Sequence, residues 1–305
     1  MSVRPRAKNA TWACGQQDFR NGPRARFGFT LVELLVVVAL IAILAAMLMP
    51  VLAGARDSGN RARCCVQLKQ LAAAAIAYAD DYGGRYVSAA KDLYLTNPEG
   101  GKCRWHGWRA KRGKSFQAEK GPLWPYLGRC GGLKLCPTAK YLKTVDSVSG
   151  SAKANMFESG CGGYGYNAAY VGGTYHKNYG PNATGCEAYE IASLESEIGK
   201  PSKTVMFADA AIPTGPGYYQ EYSFVEPPHY LEYSQKLGAM AEGGPSTPTM
   251  HFRHNGLANV AWCDGHVSCE SMSFTWDGEN AYGADNRSND MGYIGNGSNE
   301  LFDNK

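Results

Sequence analysis

The chain has 305 residues, among them 37 glycines, 15 prolines and 19 tyrosines, with 44% hydrophobic and only 19% charged residues. That hydrophobic and aromatic share excludes a disordered chain, and the length allows one large or two small domains. The formal charge of +4 sits in residues 1–28, where Arg4, Arg6, Lys8, Arg20, Arg24 and Arg26 face only Asp18; the remainder holds 25 bases and 26 acids. The body therefore has no compositional nucleic-acid footprint.

Phe29 to Leu52 is a run of 24 residues with one charge, Glu33. As a helix it spans roughly 36 Å, enough to cross a hydrocarbon core of about 30 Å. The upstream bases predict a cytoplasmic N-terminus and an exported C-terminus. Two fates are open to such a segment. Ala53-Gly54-Ala55 is an acceptable small-x-small site for discarding it as a secretory signal. Against that, the run exceeds the usual signal core of about 7–15 residues. Glu33 also lies in its first turn, where a carboxylate in apolar surroundings costs several kcal/mol unless paired or protonated.

Gly28-Phe29-Thr30-Leu31-Val32-Glu33, after a basic leader and before an aliphatic helix, resembles the cleavage and methylation signal of type IV prepilins and type II secretion pseudopilins. The resemblance implies that a prepilin peptidase cuts the Gly28–Phe29 bond on the cytoplasmic side and N-methylates Phe29. It makes Glu33 the fifth mature residue and Pro50 the twenty-second. Cleavage before the apolar run keeps the helix attached and creates a positive amine at its start. A first-turn carboxylate then neutralises its own amine or that of a subunit docking alongside.

Beyond Arg56, Asp57, Arg61 and Arg63, an apolar stripe of Cys65, Leu68, Ala72, Ala75/Ile76 and Ala79 predicts that the helix continues, kinked near Pro50, to a stop at Gly83-Gly84. The expected organisation is a leader (1–28), a transmembrane assembly helix (29–54), its extramembrane half (55–82) and an exported β-rich domain (83–305). Strand-like runs occur at Lys134–Cys136, Tyr164–Gly172 and Thr204–Asp209, with proline-bearing loops at Ile212–Gly217 and Glu242–Pro248. Thr249–Arg253, Leu257–Cys263 and His266–Glu270, separated by Asn255-Gly256 and Asp264-Gly265, predict a three-stranded meander within 249–274. A two-residue turn at 264–265 would pair Cys263 with His266 and put Val260, Trp262, Val267 and Cys269 on one buried face.

His254, nine residues, then Asp264-Gly265 resembles the H-x9-DG C-terminal region of many bacterial proteins with prepilin-type starts. Leu135-Cys136-Pro137, Tyr164-Gly165-Tyr166-Asn167 and Pro201-Ser202-Lys203-Thr204-Val205 resemble segments of the same group.

Sharper chemistry has weaker support. His251, His254, His266 and Asp264 are a zinc-type donor set, but they fall on different strands and turns. Asp277, Glu279, Asp285, Asn286, Asn289 and Asp290 offer oxygen ligands for calcium without a regular EF-hand spacing; Asp277, Asp285 and Asp290 are the metal candidates. The resemblance to major pseudopilins adds weight to calcium. Cys263, Asp264 and His266 are a thiol-nucleophile set confined to one turn. Nine cysteines remain after leader removal, and export favours disulfides; Cys130–Cys136 and Cys161–Cys186 are open pairings.

The expected fold class is α+β and pilin-like: a long helix, membrane-spanning in its first half, packed on a small antiparallel sheet with a loop-rich insertion. The expected function is that of a pseudopilin-like, non-enzymatic structural subunit of a type II secretion or type IV pilus-like assembly. Its partners would be the prepilin peptidase, other pilin-like subunits and the inner membrane through residues 29–52, with no nucleic acid and no cofactor save a possible calcium. The alternative is a minor pilin or membrane-tethered surface protein that captures a glycan or protein.

Overall fold

The structure, a computed structural model, describes residues 29–92, 101–111, 114–128, 135–141, 160–174, 191–215, 218–234, 239–280 and 282–303. The chain divides into two units, residues 1–52 and 53–305. Helix α1 (Leu31–Asp81) contributes to both.

In the first unit every helical residue is exposed, and the helix is long and apolar enough to cross a membrane. Its start is closed by a reciprocal pair. The Glu33 carboxylate accepts from the Thr30 backbone N–H and hydroxyl, both at 2.8 Å, while the Thr30 hydroxyl accepts from the Glu33 N–H at 3.2 Å. This capping box satisfies donors that a helix N-terminus otherwise leaves open.

In the second unit one face of α1 is covered: Cys64, Leu68, Leu71, Ala72, Ala74, Ala75 and Ala79 are buried. Steps of three and four residues place most of them on one stripe. Four of the seven are alanine, so the helix backbone can lie close to the sheet. The predicted stripe began at Cys65; Cys64 is the buried member, and Cys65 is half-buried. Gly83 and Gly84 end the helix at φ 66° and 79°, with the Gly84 N–H donating to the Ala79 carbonyl at 2.8 Å.

The strands are short and antiparallel. In chain order they are β1 (Cys103–Arg104), β2 (Gly107–Trp108), β3 (Tyr164–Tyr166), β4 (Val205–Asp209), β5 (Ile212–Gly215), β6 (Tyr218–Gln220), β7 (His229–Ser234), β8 (Ala239–Pro245), β9 (Met250–His251), β10 (Leu257–Trp262), β11 (Val267–Ser271) and β12 (Met291–Gly292). The main sheet has the order β11-β10-β4-β3. Side chains alternate across it. Ala261 and Cys263 join Phe207, Tyr164, Tyr166, Leu68 and Leu71 on the helix side, while Ala258, Val260 and Trp262 join Val205, Met250, Phe252 and Phe302 on the other. Covering both faces explains why the central strands read as nearly continuous apolar runs.

Several expectations change. The β10–β11 hairpin pairs Ala261 with Val267 and Asn259 with Cys269, and the Trp262 N–H donates to the His266 carbonyl at 3.0 Å. The loop is thus three residues, 263–265, closed by Gly265 at φ +84°. That one-residue slip puts Val267 and Cys269 on the face opposite Val260 and Trp262, and leaves Cys269 exposed. Asn255 (φ 56°) and Gly256 (φ 79°) do form a two-residue turn between His254 and Leu257. The expected meander stops there, because β9 pairs with β12. Tyr164–Gly172 is a strand only to Tyr166, after which the Asn167 side chain accepts from the Tyr170 N–H at 3.2 Å and turns the chain. The loops expected at 212–217 and 242–248 instead contribute to the hairpins β5–β6 and β7–β8. Leu135 and Cys136 lead into a 3-10 turn, Pro137–Tyr141, and Lys134 lies outside the described residues.

Candidate functional site

The N-terminal signal is described from Phe29, which is exposed; Gly28 lies outside the described residues. Thr30 and Glu33 hold each other as above, so the single charge of the apolar run already has two protein donors.

A second cluster joins the C-terminal part of α1 to the sheet. Asp209, at the end of β4, is fully buried. Its Oδ1 accepts from Arg253 Nη2 at 2.9 Å; its Oδ2 accepts from the Asn259 backbone N–H at 2.8 Å and from Asn259 Nδ2 at 2.9 Å, and lies 3.2 Å from His254 Nε2. Burial alone would raise the Asp209 carboxyl; Arg253, then His254 and Asn259, outweigh it and hold the group down to about 2. Arg253 also donates to the carbonyls of Gly163 and Ala210, tying the loop before β3 to the strand end.

His254 extends the cluster: Nε2 lies 3.7 Å from Cys136 Sγ and Nδ1 lies 3.4 Å from the Thr138 hydroxyl. Cys136 is disulfide-bonded to Cys64 of α1. On the other side, Asn259 Oδ1 accepts from Cys65 Sγ at 2.9 Å and from Cys269 Sγ at 3.2 Å. Tyr164 donates its hydroxyl to Gln67 of α1 at 2.5 Å. A cleft of about 200 Å³, lined by Asp57, Arg61, Thr138, Arg253 and His254 among others, opens beside this cluster.

The chemistry of the arrangement is that of a fastening. A Cys-His-Asp triad needs the carboxylate on one ring nitrogen and the nucleophile on the other; here Asp209 and Cys136 both face Nε2. Cys64, Cys136, Asp209 and His254 are the one group among the described residues whose donor atoms gather, within 4.8 Å of one another, as metal ligands would. With the two sulfurs bonded together, only a histidine and a carboxylate already held by Arg253 and Asn259 remain, short of the four ligands zinc takes.

The other predicted site residues disperse. His254 and Asp264 stand at opposite ends of β10, roughly 20 Å apart for a strand of this length. Asp264 accepts from the His266 N–H at 3.0 Å and contacts its ring at 2.6 Å, while Gly265 supplies the positive φ of the loop. A Cβ on Gly265 would come within 3.2 Å of Ile76 Cδ1, so the hairpin tip touches α1. His251 stacks on Tyr219, 5.1 Å between ring centroids; it feels the charges of Arg253, Asp209 and His254 but is not among the side chains whose donor atoms gather. Cys263 is buried, and burial, then Asp264, pushes its thiol well up, the reverse of an activated nucleophile. Among the calcium candidates, Asp277 pairs with Arg287 at 2.9 Å and Asp285 accepts from the Ser288 N–H at 2.7 Å; Asp290 takes φ 52° at the end of that turn. The Cys130–Cys136 pairing is replaced by Cys64–Cys136. Cys161 is buried, and its suggested partner Cys186 lies outside the described residues.

Sequence reasoning missed Asp209, Arg253 and Asn259. Their signal was a lone acid, a lone base and a lone amide inside the apolar runs VMFAD, MHFRH and LANVAW, since a charge placed in a core has to be paired.

Residues 23–49 match the family described as the prokaryotic N-terminal methylation motif. The match spans the end of the leader and most of the apolar run, so the chain carries a prepilin-type N-terminus. No curated protein and no solved structure matches the chain.

Proposed function

We propose that this chain is a pseudopilin-like structural subunit of a type II secretion or type IV pilus-like assembly. Prepilin peptidase cuts it at Gly28–Phe29 and methylates Phe29; it then sits in the inner membrane with its C-terminal body exported and joins other pilin-like subunits through residues 29–52. The observation that carries this reading is the methylation motif at 23–49, with Glu33 fixed in the first turn of an exposed aliphatic helix. Glu33 then supplies the charge that meets the amine of a docking subunit. The reading is structural and not catalytic: the body's most buried polar cluster is occupied in holding helix to sheet. Calcium is left out of it, because Asp277 and Asp285 are already engaged by Arg287 and Ser288.

Capture of a glycan or protein by a minor pilin gains less support. The cleft beside His254, about 200 Å³, is below the roughly 300–1,000 Å³ of ordinary ligand sites.

The test is the N-terminal residue and mass of protein recovered from native membranes, together with Glu33→Ala. N-methyl-Phe29, and loss of assembly with retained membrane insertion in the variant, are the expected results. A start at Arg56 would mean that the helix is a discarded signal and would end the assembly reading.

A further inference from the structure

Cys65, Cys103, Cys263 and Cys269 are free thiols among the described residues. Two of them meet. Cys65 Sγ lies 3.7 Å from Cys269 Sγ, and both thiols point at one acceptor, Asn259 Oδ1. Cys65 belongs to α1 and Cys269 to the edge strand β11, so their contact joins helix to sheet, whereas Cys64–Cys136 joins the helix to the segment before Pro137. Because neighbouring helix positions point about 100° apart, Cys64 and Cys65 reach different parts of the body. We propose that Cys65 and Cys269 are the site of a second disulfide, which fastens α1 to the outer strand of the sheet beside the Cys64–Cys136 bond.

The geometry requires little movement. A disulfide needs its sulfurs about 2.05 Å apart, so the present contact must close by about 1.6 Å. Rotation of the exposed Cys269 side chain is free to supply much of that. Asn259 gives up two weak S–H donors, but its N–H and Nδ2 remain on Asp209, so the buried carboxylate keeps its partners.

Accessibility sets the order of events. Cys65 is half-buried, and burial, then Cys269, pushes its thiol up to about 12, whereas Cys269 is exposed. Cys269 therefore reacts first, as a thiolate attacking a disulfide-bearing thiol oxidase of the exported compartment and releasing one oxidase thiolate. Cys65 then loses its proton to solvent and attacks the Cys269 sulfur of that mixed disulfide, expelling the second oxidase thiolate. Two S–H bonds are lost, one S–S bond forms, two electrons leave with the oxidase, and its two thiolates take up from solvent the two protons that Cys269 and Cys65 released.

The oxidising compartment is part of the proposed function, so two arms separate the ideas. Full-length protein is recovered from membranes under acid quench, alkylated with iodoacetamide without reduction, digested and read by tandem mass spectrometry with cleavage between Cys64 and Cys65. The expected result is a Cys65–Cys269 link and loss of alkylation at Cys269. In Cys65→Ser, whose hydroxyl can still donate to Asn259, Cys269 becomes alkylated while Cys64–Cys136 stays linked. Purified full-length protein in detergent with a glutathione redox buffer should form the same link. Formation in the buffer but not in cells would remove the exported location and keep the pairing. Alkylated Cys269 in both arms, or protection of Cys269 that persists in Cys65→Ser, would overturn the pairing.

Discussion

From Leu31 to Leu52, α1 exposes aliphatic side chains all round; from Cys64 to Ala79 it hides one face, mostly alanine, against a sheet. The first stretch needs only length and apolarity, because a lipid solvent accepts any arrangement of Leu, Val and Ile. The second must fit a particular surface, so its side chains are chosen position by position. Their treatment of charge differs likewise. Glu33 sits at the helix tip and is met by its neighbour Thr30, whereas Asp209 is buried in the body and needs Arg253, His254 and Asn259 from elsewhere in the sequence.

The sharpest way to break this contrast is to strand the buried charge. Arg253→Ala should destabilise the body by about 3–5 kcal/mol, because it leaves the Asp209 carboxylate without its cation; Glu33→Gln should leave the body's unfolding unchanged. Both are read by denaturant unfolding of the full chain in detergent, and an equal effect of the two would contradict the contrast. Next in size is packing. Leu68→Ala should cost about 2–5 kcal/mol by opening a cavity, and Leu44→Ala should not move the same transition. Adding volume sharpens the point further: Ala75→Leu should cost about 1–3 kcal/mol by overpacking, while Ala46→Leu should be accepted in the exposed stretch.

Acid gives the most graded effect. His251 is held down to about 3 by burial, then by Arg253, and His106 is lowered well below its usual value, again chiefly by burial. Among the described residues neither ring nitrogen of His106 has a hydrogen-bond partner. For a base, a folded pKa below the unfolded one means that the unfolded chain binds the extra proton first. Stability is then full above about pH 6.5 and falls as pH drops towards 3, by up to about 1.4 kcal/mol per pH unit for each such histidine. Asp209 acts only lower down: its contribution is present above the unfolded value of about 3.9 and is lost as pH falls towards its folded value. His251→Gln should flatten the loss between pH 6 and 4, measured by melting temperature against pH; an unchanged slope would take His251 out of the account.

What was legible in the sequence follows the same divide. The membrane-type stretch is written in one dimension, as length, apolarity and one acid, and the glycine stop at 83–84 and the Asn255-Gly256 turn are equally local. The body's fastening is not. Asp209, Arg253, Asn259 and the Cys64–Cys136 bond join residues 72 or fewer positions apart in sequence, yet no spacing rule connects them. The Asp264-Gly265 turn shows how fine the margin is. Its residues suit a two-residue and a three-residue loop alike, and choosing between them by one residue reverses which side of β11 faces the helix. The T-x-x-E capping box at 30–33 is local too, but Glu33 was assigned to an amine and Thr30 was passed over.

The Cys64–Cys136 bond also bears on how the chain would survive a proteolytic cut. Its two ends are separated by 72 positions, and they enclose the whole stretch between the middle of α1 and the start of the 3-10 turn at Pro137. A protease that makes a single nick anywhere in that stretch produces two chains that remain one molecule. Such a nicked protein would run as a single band on a non-reducing gel and as two after reduction, so a chain cut once there still keeps its N-terminal helix attached to its body.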